Sequence, residues 1–373
     1  MQSIALRSIK NVNVRGKRVL LRTSLNPAVD GNIADDRRLK VALPTLRLLS
    51  RGGAKIFIVG YFGREGRSLV PVFEALRALA PDVPMRFCGS LRDAECEASS
   101  LREGSALVLE NTRRDPGEES NDPSYARELA NLAELFVGDA FAEAHRNYAS
   151  NVGVASLLPS YAGLLMEEEV RRLSGALSSP ARPSLAIIGG TKFETKRLLI
   201  EKLLPLYDSL LIGGAIANDF LKARNVPIGD SVTSSALLSG VLADERIKIP
   251  EDMVAIDAEG NARETVCVAE GERIADIGER TAKRWAKMIS QASFVLWNGP
   301  MGIYEDGFMR GTDALAHAIA ESPCRAVIGG GDTDAALARY RFEKERVFVS
   351  TGGGAMLAFL SGEKLPGIEV LKT

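Results

Sequence analysis

Short apolar runs of three to five residues alternate with longer stretches of helical periodicity along almost the whole chain. Runs of this length and composition are typical of strands that are buried on both faces of a sheet. They predict strands at residues 18–22, 55–59, 106–110, 135–137, 184–188, 209–212, 293–297, 326–328 and 347–349. Strands that alternate with helices predict an α/β protein with parallel sheets, whose ligands lie at the carboxyl ends of the strands.

The first long helical segment covers about residues 36–49, where leucine and alanine recur at positions 39, 42, 43 and 46. We expect Asp35 or Asp36 to cap its first turn. Pro44 either bends this helix or marks a later start. A second helix begins near Gly163 and ends before the Ser/Pro-rich residues 178–183, which we interpret as the junction between two halves. Residues from about 240 to 275 lack a clear pattern.

Glycine pairs or triplets follow four of the five strands predicted in the second half, and Asn-Gly-Pro follows the other. Glycine lets backbone N–H groups face a ligand, and a helix that starts at such a turn adds a partial positive charge. The second half is therefore predicted to hold phosphate groups at one edge of its sheet. The patterns G-x-x-x-x-G-K-[ST] and G-x-G-x-x-G are absent, which argues against a P-loop NTPase and a dinucleotide dehydrogenase.

Polar residues beside these glycines suggest the chemistry of the site. Asp332 either caps a helix or binds Mg²⁺, which prefers one or two carboxylates with phosphate oxygens; we favour Mg²⁺ because Thr333 can cap instead. Lys192 and Lys196 share a helix face, which is either a solvated surface or a place to neutralise a moving phosphoryl group.

The segment 297–305 is either a plain turn or a nucleoside contact, since it offers an amide, an aromatic ring and a carboxylate.

Arginines lie near strand ends or loops in the first half. Most arginines are surface residues, but a cluster of them would suit a small anionic metabolite, because the guanidinium group grips carboxylate and phosphate with two hydrogen bonds. The formal net charge of −1 gives no global attraction to nucleic acid or to an anionic membrane, so any basic site is local. The arginines in question are Arg22, Arg38, Arg64, Arg113 and Arg146.

The remaining composition excludes several classes of protein. The four cysteines are scattered, so we expect free, buried thiols in a reducing cytosol rather than disulfides or a zinc site. His317 is expected to be structural, and a Ser-His-Asp hydrolase based on His145 would need a G-x-S-x-G turn that is missing. We expect no signal peptide and no membrane span.

Eight motifs occur in an order that resembles the phosphoglycerate kinase family over essentially the whole chain. They are DDRRLKVALPT at 35–45, LENTR at 109–113, DAFAEAHR at 139–146, GGTK at 189–192, WNGPMG at 297–302, GGGDT at 329–333, STGGG at 350–354 and LPGIEVL at 365–371. The resemblance implies two doubly wound parallel-sheet domains that face each other across a hinged cleft. Residues 1–160 with 361–373 would bind phosphoglycerate, 161–182 would form a helix and linker, and 183–360 would bind the nucleotide. We expect a cytoplasmic monomer that acts on small molecules.

The resemblance also implies a role for each matching residue. Lys196, Gly213, Gly214, Asn298, Glu305, Gly330, Gly331, Asp332 and Thr333 would bind ATP or ADP, with Glu305 on the ribose hydroxyls and Asp332 on Mg²⁺. Arg38, Lys192 and the amides of Gly331 and Gly353 would surround the transferring phosphoryl group. The acid would lie among Ser24, Asn26, Arg38, Tyr61, Arg64, Arg113 and Arg146. The implied reaction is reversible phosphoryl transfer between ATP and the carboxylate of 3-phosphoglycerate.

Two residues of the acid pocket depart from the family pattern. Ser24 replaces an aspartate that contacts the glycerate hydroxyl, and Tyr61 replaces a histidine of the same pocket; Asn147-Tyr148 also departs from the usual Ala-His. The loss of the aspartate leaves the arginine cluster one charge more positive. Two alternatives therefore remain, which are a kinase with a different acceptor acid and a nucleotide-binding protein with an impaired acceptor site.

Overall fold

A computed structural model describes residues 4–26, 36–63, 66–191, 193–234, 241, 244–337 and 339–373, apart from the side chains of residues 194, 195, 334 and 335. The chain divides into two compact units. The first unit contains residues 4–171, as far as they are described, together with Lys364–Thr373, and the second contains Arg172–Glu363.

The strands lie in the predicted apolar runs, with several additions. In the first unit they are β1 Arg18–Thr23, β2 Lys55–Val59, β3 Met85–Cys88, β4 Ala106–Leu109, β5 Leu135–Asp139 and β6 Ser160–Ala162. In the second unit they are β7 Ser184–Ile188, β8 Ser209–Ile212, β9 Ile247–Lys248, β10 Met253–Ile256, β11 Ala262–Thr265, β12 Arg273–Ile277, β13 Phe294–Asn298, β14 Arg325–Gly329 and β15 Val347–Ser350.

The helices fill the intervals between the strands. They are α1 Arg37–Arg51, α2 Val70–Leu79, α3 Leu91–Ala98, α4 Gly117–Ser120, α5 Pro123–Asn131, α6 Leu164–Ser178, α7 Phe193–Leu203, α8 Ile216–Ala223, α9 Glu279–Ser290, α10 Arg310–Glu321, α11 Gly331–Ala336, α12 Gly354–Ser361 and α13 Pro366–Glu369. The division between the two units falls inside α6, earlier than the Ser/Pro-rich residues that the sequence indicated as the junction.

The first unit is built on a parallel sheet with the strand order β3-β4-β2-β1-β5-β6. Ile56 to Val59 of β2 are all fully buried, because helices and loops cover both faces of the sheet. The strand order reverses between β1 and β5. A crevice at such a reversal is where open α/β sheets bind ligands.

The second unit repeats this plan with the order β15-β14-β13-β7-β8-β9, again with every pair parallel. Its order reverses between β7 and β13, and the glycine-rich turns all follow its strands at their carboxyl ends. The two parallel sheets confirm the predicted α/β class.

A small antiparallel sheet occupies the region in which the sequence gave no clear pattern. Its order is β11-β10-β12, and the pairing of β10 with β12 is irregular between Val254 and Ala255. β11 is largely exposed, so it lacks the continuous apolar run that identified the other strands.

The last residues of the chain pack within the first unit. The amide N–H of Arg7 donates to the carbonyl of Leu371 at 3.0 Å, and that of Gly367 donates to the carbonyl of Ala144 at 2.9 Å. Ile368 and Leu371 are buried. The first unit is thus completed by residues that follow the whole second unit in sequence.

Helix α1 confirms the predicted periodicity and begins at Arg37, next to the predicted start. Leu39, Ala42 and Leu46 are buried as expected. Pro44 lies inside the helix and therefore does not mark a later start. Asp36 occupies the cap position without a capping hydrogen bond and instead pairs with Lys40, with Oδ2 and Nζ 2.8 Å apart, while Asp35 lies outside the described residues.

The cysteine expectation was half right. All four thiols are free, and Cys88 and Cys324 are buried, but Cys96 and Cys267 are exposed because they face outward from α3 and from a surface loop. Within the described residues, none of the helices is both long and apolar enough to cross a membrane.

Asp276 of β12 is a buried carboxylate whose charge opposes folding. Its side chain is 2% exposed and accepts the N–H groups of Ile277 at 2.8 Å and of Gly311, in the first turn of α10, at 2.9 Å. Burial nevertheless raises the pKa of Asp276 to about 7. The folded state therefore binds this proton more tightly than the unfolded state does.

We expect the Asp276→Asn variant to lose part of the pH dependence of stability. Because the pKa of Asp276 is raised on folding, its stabilising contribution is complete at low pH and is lost as the pH rises through about 7. Between about pH 5 and about pH 8 the free energy of unfolding should fall by roughly 2–3 kcal/mol more in the original protein than in the variant. Trp285 and Trp297, the two tryptophans, both lie in the second unit, so tryptophan fluorescence in urea reports its unfolding.

Asp139→Asn is the matched control, since burial also raises the pKa of Asp139 to about 7 but this residue lies in the first unit. This control should leave unchanged the pH dependence of the unfolding free energy that tryptophan fluorescence measures for the second unit. An Asp276→Asn protein with the original pH dependence would show that this carboxyl does not titrate as described.

Candidate functional site

In the first unit, the residues predicted to bind the acid follow the carboxyl ends of neighbouring strands. Ser24 follows β1, Tyr61 follows β2, Arg113 follows β4 and Arg146 follows β5. Parallel pairing brings these strand ends to one edge of the sheet. Arg64 lies outside the described residues.

Ser24 and Arg22 contact a buried carboxylate that the sequence did not single out. The hydroxyl of Ser24 donates to Oε1 of Glu143 at 3.0 Å, and Nη1 of Arg22 lies 4.0 Å from Oε2 of the same residue. Arg22 also donates from Nε to Oγ of Ser150 at 3.0 Å. Ser24 and Glu143 are each 2% exposed and Arg22 is fully buried, so these charges are removed from solvent.

Tyr61 and Tyr148 enclose Arg113. The guanidinium carbon of Arg113 lies 3.7 Å from the centroid of the Tyr61 ring, and Nη2 donates to the hydroxyl oxygen of Tyr148 at 3.0 Å. Arg113 also pairs with Glu119, with Nε and Oε1 2.9 Å apart, and donates to the carbonyl of Gly63. Burial, and secondly the charge of Glu143, raises the pKa of Tyr61 to about 12, so Tyr61 keeps its proton at neutral pH. The guanidinium is thus held in one orientation.

The remaining acid-pocket residues are more open. Nη1 of Arg38 donates to the carbonyl of Asn26 at 3.2 Å, and the side-chain oxygen of Asn26 accepts the N–H of Gly63. Arg146 is exposed. Arg38 is half-buried, so neither arginine is fully enclosed within the described structure.

Sequence reasoning missed the roles of Glu143 and Tyr148 in this cluster. The sequence identifies Tyr148 only as a departure from a family pattern. Glu143 was hidden within a matching motif. The signal that could have found it is the pairing of β1 with β5, in which Thr23 is opposite Asp139, because this register brings the turns after both strands together.

In the second unit, the glycine turns let three strand ends approach closely. Gly214 and Gly299 both have left-handed backbone conformations, with φ of 59° and 98°. A Cβ atom at Gly214 would collide with the backbone of Gly190, and one at Gly299 would collide with the backbone of Gly189. Glycine is therefore required at these two positions for both space and conformation.

Lys196 is buried rather than solvated. Its side chain is 5% exposed, and its ammonium group donates to both the backbone carbonyl, at 3.1 Å, and the side-chain oxygen of Asn298. The amide nitrogen of Asn298 donates in turn to the carbonyl of Gly329 at 2.7 Å. These contacts link the helix after β7 to the ends of β13 and β14. Lys192 lies outside the described residues, so a shared face with Lys196 stays a prediction.

Thr333 does not cap α11, contrary to the expectation from sequence. Its hydroxyl oxygen accepts the N–H of Gly299 at 2.7 Å, and the residue lies inside the helix and is fully buried. Asp332 is also inside the helix and is half-buried. The expectation that Thr333 caps the helix in place of Asp332 is therefore wrong. Asp332 nevertheless lies at the edge of the sheet that carries the glycine-rich turns after β7, β8, β13, β14 and β15, which we call the glycine edge.

The two glycine triplets border open space. A Cβ atom added at Gly331 or at Gly353 would meet no atom of the described structure within 4 Å. At Gly330, by contrast, it would lie 2.9 Å from Oγ1 of Thr333. The backbone at Gly331 and Gly353 is thus accessible to a ligand, and Gly213 with Gly214 forms the turn after β8 on the same edge.

Tyr304 connects the two predicted carboxylates of this unit. Burial, followed by the charges of Glu305 and Asp332, raises the pKa of Tyr304 to about 12. Glu305 is exposed. Both carboxylates therefore lie close enough to Tyr304 to raise the pKa of its phenol, at the edge formed by the ends of β13 and β14.

The donor set for a metal is small. No group of three or more His, Cys, Asp or Glu side chains within the described residues could hold a metal ion. Asp332 alone fits Mg²⁺ only if phosphate oxygens and waters supply the other ligands, which is how Mg²⁺ is usually bound beside nucleotides.

A separate cavity of about 900 Å³ lies between α8, β9 and α9. Its described lining includes Arg224, Lys248 and Trp285 but none of the predicted site residues. It has no glycine-lined backbone, so we do not assign the phosphate site to it.

Comparison with known proteins agrees with the motifs. The model of the phosphoglycerate kinase family matches residues 9–363. A phosphoglycerate kinase from Herpetosiphon aurantiacus is 42% identical over 98% of both chains, and one from Thermus thermophilus is 43% identical over 98% of this chain and 100% of the relative. Among solved structures, the phosphoglycerate kinase from Coxiella burnetii has a TM-score of 0.83 at 37% identity, and that from Pyrococcus horikoshii has 0.86 at 31%. Each covers 98% of both chains.

The Thr333→Val variant should weaken the second unit. Valine has nearly the same volume as threonine but leaves the buried N–H of Gly299 without its acceptor, which costs about 1–3 kcal/mol of unfolding free energy. Urea unfolding followed by tryptophan fluorescence measures this loss, because Trp297 lies two residues before Gly299.

Thr333→Ser is the control, since it keeps the hydroxyl and should lose less than half as much. Equal losses in the two variants would mean that the missing methyl or the altered packing, rather than the hydrogen bond, controls stability.

Proposed function

We propose, since this chain belongs to the phosphoglycerate kinase family, that its first unit binds 3-phosphoglycerate and its second unit binds the nucleotide. The enzyme is a phosphotransferase of glycolysis with a carboxyl group as acceptor. It transfers a phosphoryl group reversibly between ATP and the carboxylate of 3-phosphoglycerate, and the acid product is 1,3-bisphosphoglycerate. The assignment of the acid to the first unit and of the nucleotide to the second is supported by one contrast. The first unit carries arginines at its strand ends, whereas the second carries the glycine edge.

Arginines of the first unit are suited to an acid with two anionic groups. Arg113 is preorganised by Tyr61 and Tyr148, so it loses little side-chain freedom on binding. Arg146 is exposed and Arg38 is half-buried, and both can donate two parallel hydrogen bonds to phosphate or carboxylate. We propose that these residues, with Asn26 and Arg64, hold the acid.

The nucleotide is proposed to lie along the glycine edge of the second unit. This edge has no side chains at Gly213, Gly214 and Gly330. Hydrogen bonds link its turns to one another, and they are made by the side chains of Lys196, Asn298 and Thr333. Glu305 is exposed, and we propose that its carboxylate accepts hydrogen bonds from the ribose hydroxyls.

Catalysis by this arrangement needs no general base, because the acceptor is already a carboxylate. What remains is to align the two substrates and to neutralise charge on the transferring phosphoryl group. We propose that Arg38, Lys192 and the amides of Gly331 and Gly353 do this. Since the two substrates have to meet, the proposal includes a hinge movement that brings the units together and excludes water.

Asp332 is the residue proposed to hold Mg²⁺. When bound with the nucleotide, Mg²⁺ supplies positive charge to the phosphate oxygens. Asp332 would orient the metal–nucleotide complex from the first turn of α11.

The alternatives drawn from Ser24 and Tyr61 receive no support from the comparisons, which consistently match phosphoglycerate kinases. We propose that the protein is a cytoplasmic monomer that acts on small molecules and has no nucleic-acid or membrane partner.

The first test is a coupled assay of ADP formation from ATP in the presence of 3-phosphoglycerate. We expect turnover, and we expect the Arg38→Ala variant to lower kcat by about 10²–10³-fold, because it removes positive charge from the phosphoryl group in the transition state. Absence of 3-phosphoglycerate-dependent turnover by the original protein would contradict the proposed function.

Arg47→Ala is the matched control on the same helix, since Arg47 pairs with Asp82 and lies outside the proposed site. Its kcat should stay within about twofold of the original, because isolated surface ion pairs contribute little.

The Asp332→Asn variant should bind the magnesium–nucleotide complex about 10–100-fold more weakly, since a carboxylate contact to a cation is lost. Calorimetric titration with ADP in the presence and absence of Mg²⁺ measures this effect, and the loss should be confined to the titration that contains the metal.

Asp257→Asn makes the same change of charge at a surface turn of the second unit and should bind normally. If Asp332→Asn weakened ADP equally with and without Mg²⁺, Asp332 would contact the nucleotide rather than the metal.

A further inference from the structure

We propose that Glu143 accepts a hydrogen bond from the hydroxyl group of the acceptor acid and thereby positions it and selects acids that carry this hydroxyl. The inference rests on the proposed function. It concerns a residue to which the family resemblance assigned no role, and it provides the acid pocket with a carboxylate although position 24 is a serine.

Glu143 lies where the fold of the first unit favours a ligand. It ends the short 3-10 turn Phe141–Glu143 just after β5, and Ser24 directly follows β1. The strand order reverses between these two neighbouring strands. The side chains therefore meet at the crevice that open parallel sheets use for binding.

The carboxylate of Glu143 is only partly satisfied. Oε1 accepts the hydroxyl of Ser24 at 3.0 Å, whereas Oε2 has no hydrogen-bond partner among the residues that the structure describes. The residue is 2% exposed, so water in bulk cannot solvate this oxygen. A buried carboxylate oxygen without a donor is costly, and a ligand O–H group would remove that cost.

A hydroxyl group also matches the cation beside this oxygen. Nη1 of Arg22 lies 4.0 Å from Oε2 of Glu143, and Nη2 of the same guanidinium has no hydrogen-bond partner within the described part of the chain. A hydroxyl donates one hydrogen bond and accepts others, so it can serve a carboxylate and a guanidinium at the same time. A second anionic group would instead be repelled by Glu143.

This arrangement changes the charge balance expected from the sequence. The replacement of an aspartate by Ser24 suggested an arginine cluster with one extra positive charge. Glu143, which accepts a hydrogen bond from Ser24, places a carboxylate directly beside position 24. The pocket therefore keeps a negatively charged hydrogen-bond acceptor, provided by the turn after β5 instead of by the end of β1.

The competing explanation is that Glu143 only neutralises buried Arg22. That role would make Glu143 important for every acceptor acid, whether or not it has a hydroxyl group. A contact to the hydroxyl predicts a loss that depends on that group alone. The two roles are separated by comparing 3-phosphoglycerate with 3-phosphooxypropionate, which has the same carboxylate and phosphate but no hydroxyl.

The experiment measures kcat/KM for both acids in the original enzyme and in Glu143→Ala, together with KM for ATP. We expect the original enzyme to prefer 3-phosphoglycerate, and we expect Glu143→Ala to lower this preference by about 10-fold or more. KM for ATP should not change. Arg47→Ala, outside the proposed site, should keep the full preference.

The rescue variant carries Glu143→Ala and Ser24→Asp together, which returns a carboxylate from the other strand, and it should recover the preference. If Glu143→Ala does not fold, Glu143→Gln, which has the same size, must lower the same ratio. Equal losses for the two acids would overturn the inference while leaving the proposed function intact. No turnover of 3-phosphoglycerate by the original enzyme would overturn the proposed function, and the inference with it.

Discussion

Parallel pairing of strands is the constraint on which the rest of this structure depends. In each unit it sends every strand end that carries a functional residue to the same edge of the sheet. Residues as distant in sequence as Lys196 and Asn298 thereby form a hydrogen bond. The same geometry joins Ser24 to Glu143 in the other unit. Both contacts bridge the strand pair at which the order of the sheet reverses. In each unit the candidate functional residues therefore lie at the position where open α/β sheets bind ligands.

The apolar runs predicted most of this framework because a strand buried on both faces has to be continuously apolar. The runs at 55–59, 184–188 and 209–212 match β2, β7 and β8 residue for residue. Strands that lack this burial were not predictable. β3 and β9 are short and lie at sheet edges, and exposed β11 belongs to an antiparallel sheet in which apolar residues need not be continuous.

The candidate site was predictable as a list of residues but not as a set of contacts. The motifs indicated Lys196 and Thr333, yet the burial of the lysine and the bond from Gly299 to Thr333 depend on how three turns approach one another. Glu143 and Tyr148 were missed for the same reason, since their significance lies in their neighbours. Local sequence specifies which groups are available, whereas strand register decides which of them meet.

The packing of residues 364–373 into the first unit has a consequence for biosynthesis. A ribosome makes the second unit in full before it reaches this segment. The second unit therefore has all of its own residues before the first unit does, because the first unit still lacks the buried Ile368 and Leu371 of this segment. The unit that the ribosome begins first is thus the last to receive all of its residues.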